Sequence, residues 1–253
     1  MFAEERWEEI NKILKKEGKI KVKDLSSRFN VTEDCIRKDL KHLENQGFLK
    51  KIYGGAVKVR DSLHESDILV RKEMDIPAKN LIAQKAFDII QDRSIIFLDI
   101  STTNIILAKL LSESTKNVTL ITNMIEAIHV LSKNHNLTVV LTGGVLNKQM
   151  DGFTGASTIE LISKYKFDMS FLGSCGLDVY DKSITTFDIE DGITKKAIIE
   201  ASKKSYLVME NKKFNSDGNY KFAKIDDIDA IITEKLPDTE TLSVLEDYKI
   251  QVI

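Results

Sequence analysis

The sequence predicts a two-domain α/β protein, with a small winged helix-turn-helix at the amino terminus and a larger domain built on a mostly parallel, helix-covered sheet. Three observations lead there. Residues 30–56 read as a helix with a basic outer face followed by a β-hairpin, and residues 78–253 alternate short β-rich runs with helical patterns. Charge divides the same way: residues 1–60 hold 15 Lys and Arg against 10 Asp and Glu, and the remainder holds 22 against 29. A basic head on an acidic body suits a nucleic-acid reader joined to a sensor.

Glu5 to Lys16 is the first predicted helix, with Trp7, Ile10, Ile13 and Leu14 spaced to pack beneath the helix-turn-helix. Val22 to Phe29 is the second, its apolar residues Val22, Leu25 and Phe29 at i, i+3 and i+7. Asn30 suits a left-handed turn, and Thr32 stands where an N-cap belongs. In the third helix Ile36, Leu40 and Leu43 fall within about 40° of one another. Arg37, Lys38 and Lys41 face the other way, while Asp39 lies beside the apolar stripe, where a structural ion pair is expected. Gly47 ends the helix, and Phe48 to Tyr53 before Gly54-Gly55 reads as a hairpin wing. Such a pair of helices can lay its second member in the major groove of DNA. Thr32, Arg37, Lys38 and Lys41, with Lys50 and Lys51 of the wing, are the candidate DNA contacts.

The predicted boundaries are 1–57 for the winged domain, 58–76 for a charged linker with at most one extended segment, and 77–253 for the second domain. Pro77 belongs to the first turn of a helix reaching Gln91. Strands are expected at Ser94 to Leu98, Val118 to Ile121, Leu137 to Leu141, Met169 to Leu172, Tyr206 to Met209, Ala230 to Ile232 and Ile250 to Ile253. Helices are expected at Asn104 to Leu111 and Met124 to Ser132.

Composition narrows the class. With 42% hydrophobic and 30% charged residues, the chain reads as a soluble globular protein. It shows neither a signal peptide nor an 18-residue apolar run. Cys35 and Cys175 are far apart and fit no metal spacing, and the four histidines form no H-E-x-x-H arrangement. The expectation is a reduced, cytoplasmic protein with no metal and no cofactor.

In parallel sheets ligands bind beyond the carboxyl ends of the strands. Asp99-Ile100-Ser101-Thr102-Thr103 follows the first strand and enters a helix, offering hydroxyls and free backbone N–H groups at a positive helix end. Thr122-Asn123, Thr142-Gly143-Gly144, Gly176-Leu177-Asp178 and Glu210-Asn211-Lys212-Lys213-Phe214 end further strands, and Gly152 to Ala156, with Gly155, opens another helix. Glycines permit close backbone approach, Asp178 could accept from a hydroxyl, and Lys213 could reach a phosphate. Together these ends predict a small, polyhydroxylated, anionic ligand of the sugar-phosphate class.

The amino-terminal residues, from Arg6 through Ile36-Arg37-Lys38-Asp39-Leu40 to Gly54-Gly55-Ala56, resemble the winged helix-turn-helix of the DeoR family of bacterial transcriptional regulators. The family's Thr-Ile-Arg-Arg-Asp-Leu stands here as Cys35-Ile36-Arg37-Lys38-Asp39-Leu40. The later motifs resemble that family's sensor domain, which is similar to ribose-5-phosphate isomerases and glucosamine-6-phosphate deaminases. Its Asp-x-Gly-(Thr/Ser)-Thr loop appears with Ser101 in place of Gly, and its Asp-x-x-Lys-Phe begins at Glu210. The segment Thr194-Lys195-Lys196-Ala197 matches another family element and adds Lys195 as a candidate.

The resemblance implies a repressor of a sugar-utilisation operon, binding double-stranded operator DNA as a homodimer or homotetramer under control of a phosphorylated sugar. The implied effector contacts are Asp99, Ser101, Thr102, Thr103, Thr122, Asn123, Gly143, Gly144, Gly155, Asp178, Lys195 and Lys213. The competing expectation is a sugar-phosphate isomerase or deaminase carrying a DNA-binding domain. Such chemistry needs a carboxylate base. The isomerases' Asp-Gly-Ala-Asp is matched at Gly173 to Asp178 without an acid at the start, and their Arg-Glu-Lys at Thr194 to Lys196 without its acid, so a non-enzyme is expected.

Overall fold

The computed structural model describes residues 2–58, 61–62 and 68–253. The chain divides into two units, Met1–Asp61 and Ser62–Ile253.

The first unit holds α1 (Ala3–Glu17), α2 (Val22–Phe29) and α3 (Glu33–Asn45), with a three-stranded antiparallel sheet. Asn30 takes the left-handed conformation at φ 53°, which turns the chain between α2 and α3. The Thr32 hydroxyl accepts from Cys35 N at 3.3 Å and caps α3. Ile10, Leu14, Leu25, Ile36, Leu40, Leu43 and Leu49 form the core. The wing pairs Leu49–Ile52 with Gly55–Lys58, turning at Tyr53-Gly54. Lys19–Lys21, for which the sequence carries no clear period, adds the third strand against Gly55–Lys58. Gly55 permits that pairing, since a Cβ there would lie 2.0 Å from the Ile20 carbonyl oxygen.

The second unit begins with α4 (Ile68–Glu73) and α5 (Ile76–Ile89). The helix α4 occupies part of the expected linker, whose residues 59–60 and 63–67 lie outside the described ones. There follow α6 (Thr102–Ser112), α7 (Ile125–Leu131), α8 (Ala156–Ser163), α9 (Ile189–Glu200) and α10 (Thr239–Asp247). They surround a seven-stranded sheet in the order Gln251–Val252, Ala230–Ile232, Ser205–Val208, Met169–Leu172, Ile95–Leu98, Thr119–Thr122, Thr138–Leu141. Every pairing in it is parallel.

Alternation along one strand explains the two layers. Ile96 and Leu98 join a core with Ala83 and Ala86 of α5 and Leu107 of α6. Phe97 points to the other face, among Ile162 of α8, Ile198 of α9 and Leu245 of α10. A second, antiparallel sheet of Gly176–Asp178, Ser183–Thr186 and Tyr220–Lys224 branches from the end of Met169–Leu172. It returns Thr186 and the start of α9 toward the sheet's carboxyl end.

Candidate functional site

Strand order decides where a ligand fits. From Ile95–Leu98 the chain steps outward through Thr119–Thr122 to Thr138–Leu141, then crosses to Met169–Leu172 and proceeds the other way. The loops after Ile95–Leu98 and Met169–Leu172 therefore diverge and leave a crevice at the topological switch point.

Two adjoining hollows occupy it. One is lined by Arg71, Lys79, Lys212 and Lys213 around Glu210, with Thr102, Ser174 and Cys175. The other continues past Ser101, Gly173 and Thr186 to Asp191 and Lys195. The Ser101 hydroxyl accepts from Thr103 N at 3.2 Å and caps α6, so the positive end of that helix opens here.

The cations are held in place. Lys213 Nζ donates to the Ser174 carbonyl at 2.7 Å and lies 3.3 Å from Glu210. Lys79 is buried and lies 3.9 Å from Glu210. Burial pulls the Lys79 ammonium below its ordinary value, with Glu210 opposing. Burial alone would raise Glu210, but Lys213, Lys212 and Lys79 hold it below the usual carboxylate range. The lining carries four basic side chains beside one carboxylate, with Lys212 also held by Asp75, a composition that suits an anionic ligand.

Beneath it lies a buried cluster. Asp99 Oδ2 accepts from Gly173 N at 3.0 Å and pairs with Lys195. Lys195 also sits 3.1 Å from Asp191, whose other oxygen accepts from the Thr186 hydroxyl at 2.6 Å. Burial, reinforced by Asp191, pushes the Asp99 carboxyl up to about 6 against the pull of Lys195. Burial disfavours the Lys195 charge, yet the two carboxylates outweigh it and raise Lys195 above its ordinary value.

Of the residues picked from sequence, Ser101, Thr102, Lys195 and Lys213 line the crevice, and Asp99 braces it from below. Thr103 is buried in the first turn of α6. The others make local hydrogen bonds or turns. Thr122 donates to the Leu98 carbonyl at 2.7 Å, and Asn123 donates to the Phe153 carbonyl at 3.1 Å. The Gly143 carbonyl accepts from Thr158, and Gly144, at φ 124°, passes so close that a Cβ would lie 2.1 Å from Thr158 Oγ1. Gly155 starts α8 at φ 91°. Asp178 accepts from Tyr180 N at 2.8 Å and closes a turn. Thr122 stays beside the first strand's end, opposite Leu98 in the sheet, and Met124, next to Asn123, accepts from Ser101 N at 3.4 Å.

Sequence reasoning missed Arg71, Lys79, Lys212, Thr186 and Asp191. For two of them a signal existed. Lys79 precedes the buried Ile82, Ala83 and Ala86 at i+3, i+4 and i+7, so it is a lysine on a core-facing stripe. Asp191 lies one turn before Lys195. An acid does stand beside Lys195, although the linear match to the isomerases lacks it.

In the first unit the six proposed DNA contacts are all exposed. Arg37 is braced by Glu33 and Asp34, each at 2.7 Å. Asp39 turns inward and takes two hydrogen bonds from Arg6, at 2.6 and 3.0 Å, and one from Trp7 Nε1 at 2.8 Å. Tyr53, at the wing turn, is fully exposed and was not among the residues singled out by sequence. Among the described residues no group of His, Cys, Asp and Glu suits a metal ion, and no described helix is long and apolar enough to cross a membrane.

Comparison with known proteins matches the DeoR-like helix-turn-helix domain over residues 6–61 and the DeoR C-terminal sensor domain over residues 74–235. The chain is 30% identical over 252 residues to the glycerol-3-phosphate regulon repressor of Escherichia coli (strain K12), spanning 100% of this chain and 99% of that one. It is 30% identical over 253 residues to the HTH-type transcriptional repressor GlcR of Bacillus subtilis (strain 168), spanning 100% and 96%. Among solved structures, ribose 5 phosphate isomerase A from Neisseria gonorrhoeae superposes with a TM-score of 0.39 at 14% identity, over 53% of this chain and 52% of that one.

Proposed function

The chain belongs to the DeoR family of transcriptional regulators, and on that premise we propose that it represses a sugar-utilisation operon and that a phosphorylated sugar controls it. Regulators of this kind read paired half-sites as oligomers. A homodimer or homotetramer in the cytoplasm would place two copies of α3 in successive major grooves. Arg37, Lys38 and Lys41 then supply groove and phosphate contacts, Lys50 and Lys51 add backbone attraction from the wing, and Thr32 orients the start of the helix. The effector binds at the switch point, its phosphate toward Arg71, Lys213 and the amino end of α6, its hydroxyls toward Ser101, Ser174 and Thr186.

The observation that carries this reading is the basic lining of the crevice, where Arg71, Lys79, Lys212 and Lys213 gather around Glu210 beside the amino end of α6. Binding without turnover is the favoured outcome, because both acids near Lys195 hold structural partners: Asp99 pairs with Lys195 and Gly173 N, Asp191 with Lys195 and Thr186.

The test is thermal denaturation against phosphorylated hexoses, pentoses and polyols beside their unphosphorylated forms. A ligand at 100 times its Kd stabilises the native state by about 2.7 kcal/mol. A shift confined to phosphorylated compounds is expected, and the same compounds should alter the gel shift of promoter DNA while being recovered unchanged. Equal shifts with sugars lacking phosphate would remove the anion site from the proposal.

A further inference from the structure

Among the described residues, α4 is the first helix to follow the DNA-binding unit, which ends at Asp61. Polar ties fasten the helix to its surroundings. Among its described side chains only Ile68 is buried as an apolar anchor, while Val70 is exposed.

Those ties lead into the crevice. Arg71, on α4, lines it together with Lys213. Lys79, which also lines it, donates from Nζ to the Arg71 carbonyl and, at 2.5 Å, to the Met74 carbonyl. A buried ammonium thus closes the last turn of α4 and satisfies carbonyls that the helix leaves open. The same ammonium faces Glu210 at 3.9 Å, so the end of α4 and the charge of the crevice share one group. Lys212 ties Asp75, at the start of α5, to the crevice wall, and Lys72 pairs with Glu126 on α7.

We propose that α4 is the responsive element of the sensor: an anion held between Arg71 and Lys213 seats this helix and thereby acts on the stretch of chain that leads directly from the DNA-binding unit. The proposal rests on the crevice being the effector site. A ligand shifts an equilibrium only by its differential affinity for two states. Arg71 and Lys79 supply that difference, because both belong to α4's own fastening and to the ligand's surroundings. Arg71 is accordingly a positioning residue for the response as well as an anion contact.

Trypsin reads this in the full chain, since Arg71 and Lys72 are both cleavage sites on α4. Inorganic phosphate is the probe, chloride at equal ionic strength the control, and cleavage at the exposed Lys133 the internal reference. Phosphate is expected to raise the melting temperature and to slow cleavage on α4, relative to Lys133, by about fivefold or more, the lower end of ordinary site-to-site coupling. Lys213→Ala should lose both effects. Arg71→Gln, with Lys72 left as the cleavage site, should keep part of the thermal shift and lose the protection.

A thermal shift in the wild type with unchanged cleavage on α4 would overturn the inference and leave the crevice as the effector site. Retained protection in Arg71→Gln would overturn it as well. Absence of any thermal shift would remove the anion site itself, and the inference with it.

Discussion

The cations of the two units are used in opposite ways. Arg37 lies on the surface of α3, paired with Glu33 and Asp34 of its own helix, with just over half of its side chain exposed. Lys195 is buried and draws on acids from different parts of the fold, Asp99 being 96 residues away in sequence. An exposed pair within one helix is worth little and is easily exchanged for a phosphate. A buried lysine shared by two carboxylates is fixed, and it fixes the loops that carry them. The head keeps its charge exchangeable for a polyanion that arrives from outside, and the sensor spends its charge on building a hollow.

Three measurements break or sharpen that contrast. The largest effect is expected from Lys195→Met, which strands Asp99 and Asp191 together in the interior. Loss of a buried partner typically costs about 3 to 5 kcal/mol, read by urea denaturation. An unchanged midpoint would mean that the cluster is far less buried than its geometry implies.

Next comes Arg37→Ala. It should weaken operator binding by about 1 to 3 kcal/mol if Arg37 reads a base edge, while leaving the melting temperature nearly unmoved. A large loss of stability with no loss of affinity would invert the contrast.

The smallest effect is a slope. Asp99 starts from an ordinary value of 3.8 and is pushed up to about 6 by burial. The native state therefore holds a proton that the unfolded chain has already released. The stabilisation is full below about pH 4 and is lost as pH rises through about 6. In the difference between wild type and Asp99→Asn, stability of the wild type should fall relative to the variant across that window. Parallel curves would assign the slope elsewhere.

Legibility in the sequence followed locality. Val22–Phe29, Met169–Leu172 and Ala230–Ile232 were readable to the residue, because short runs with a clear period sit between turn residues. The antiparallel excursion through Ser183–Thr186 was not, since its strands are brief and their partners distant. For the site, Ser101, Thr102 and Lys213 stood out because the loops that leave the switch point carry hydroxyls and cations. Thr122, Asn123, Gly143 and Asp178 stood out for the same reason, and the local hydrogen bonds that hold them are not legible from the motifs. Arg71 sat in a stretch that reads as linker, since six residues of helix carry too little period to declare themselves.

The chain has one tryptophan, Trp7, and it lies in the head, stacked on His42 with ring centroids 3.8 Å apart and hydrogen-bonded to Asp39. Its fluorescence is therefore a native optical label for that unit alone. The sensor contributes tyrosines and phenylalanines but no tryptophan, so excitation at the red edge of the aromatic band leaves it dark. The opening of the head can be timed in the intact protein without an attached dye, while total helical signal follows both parts together.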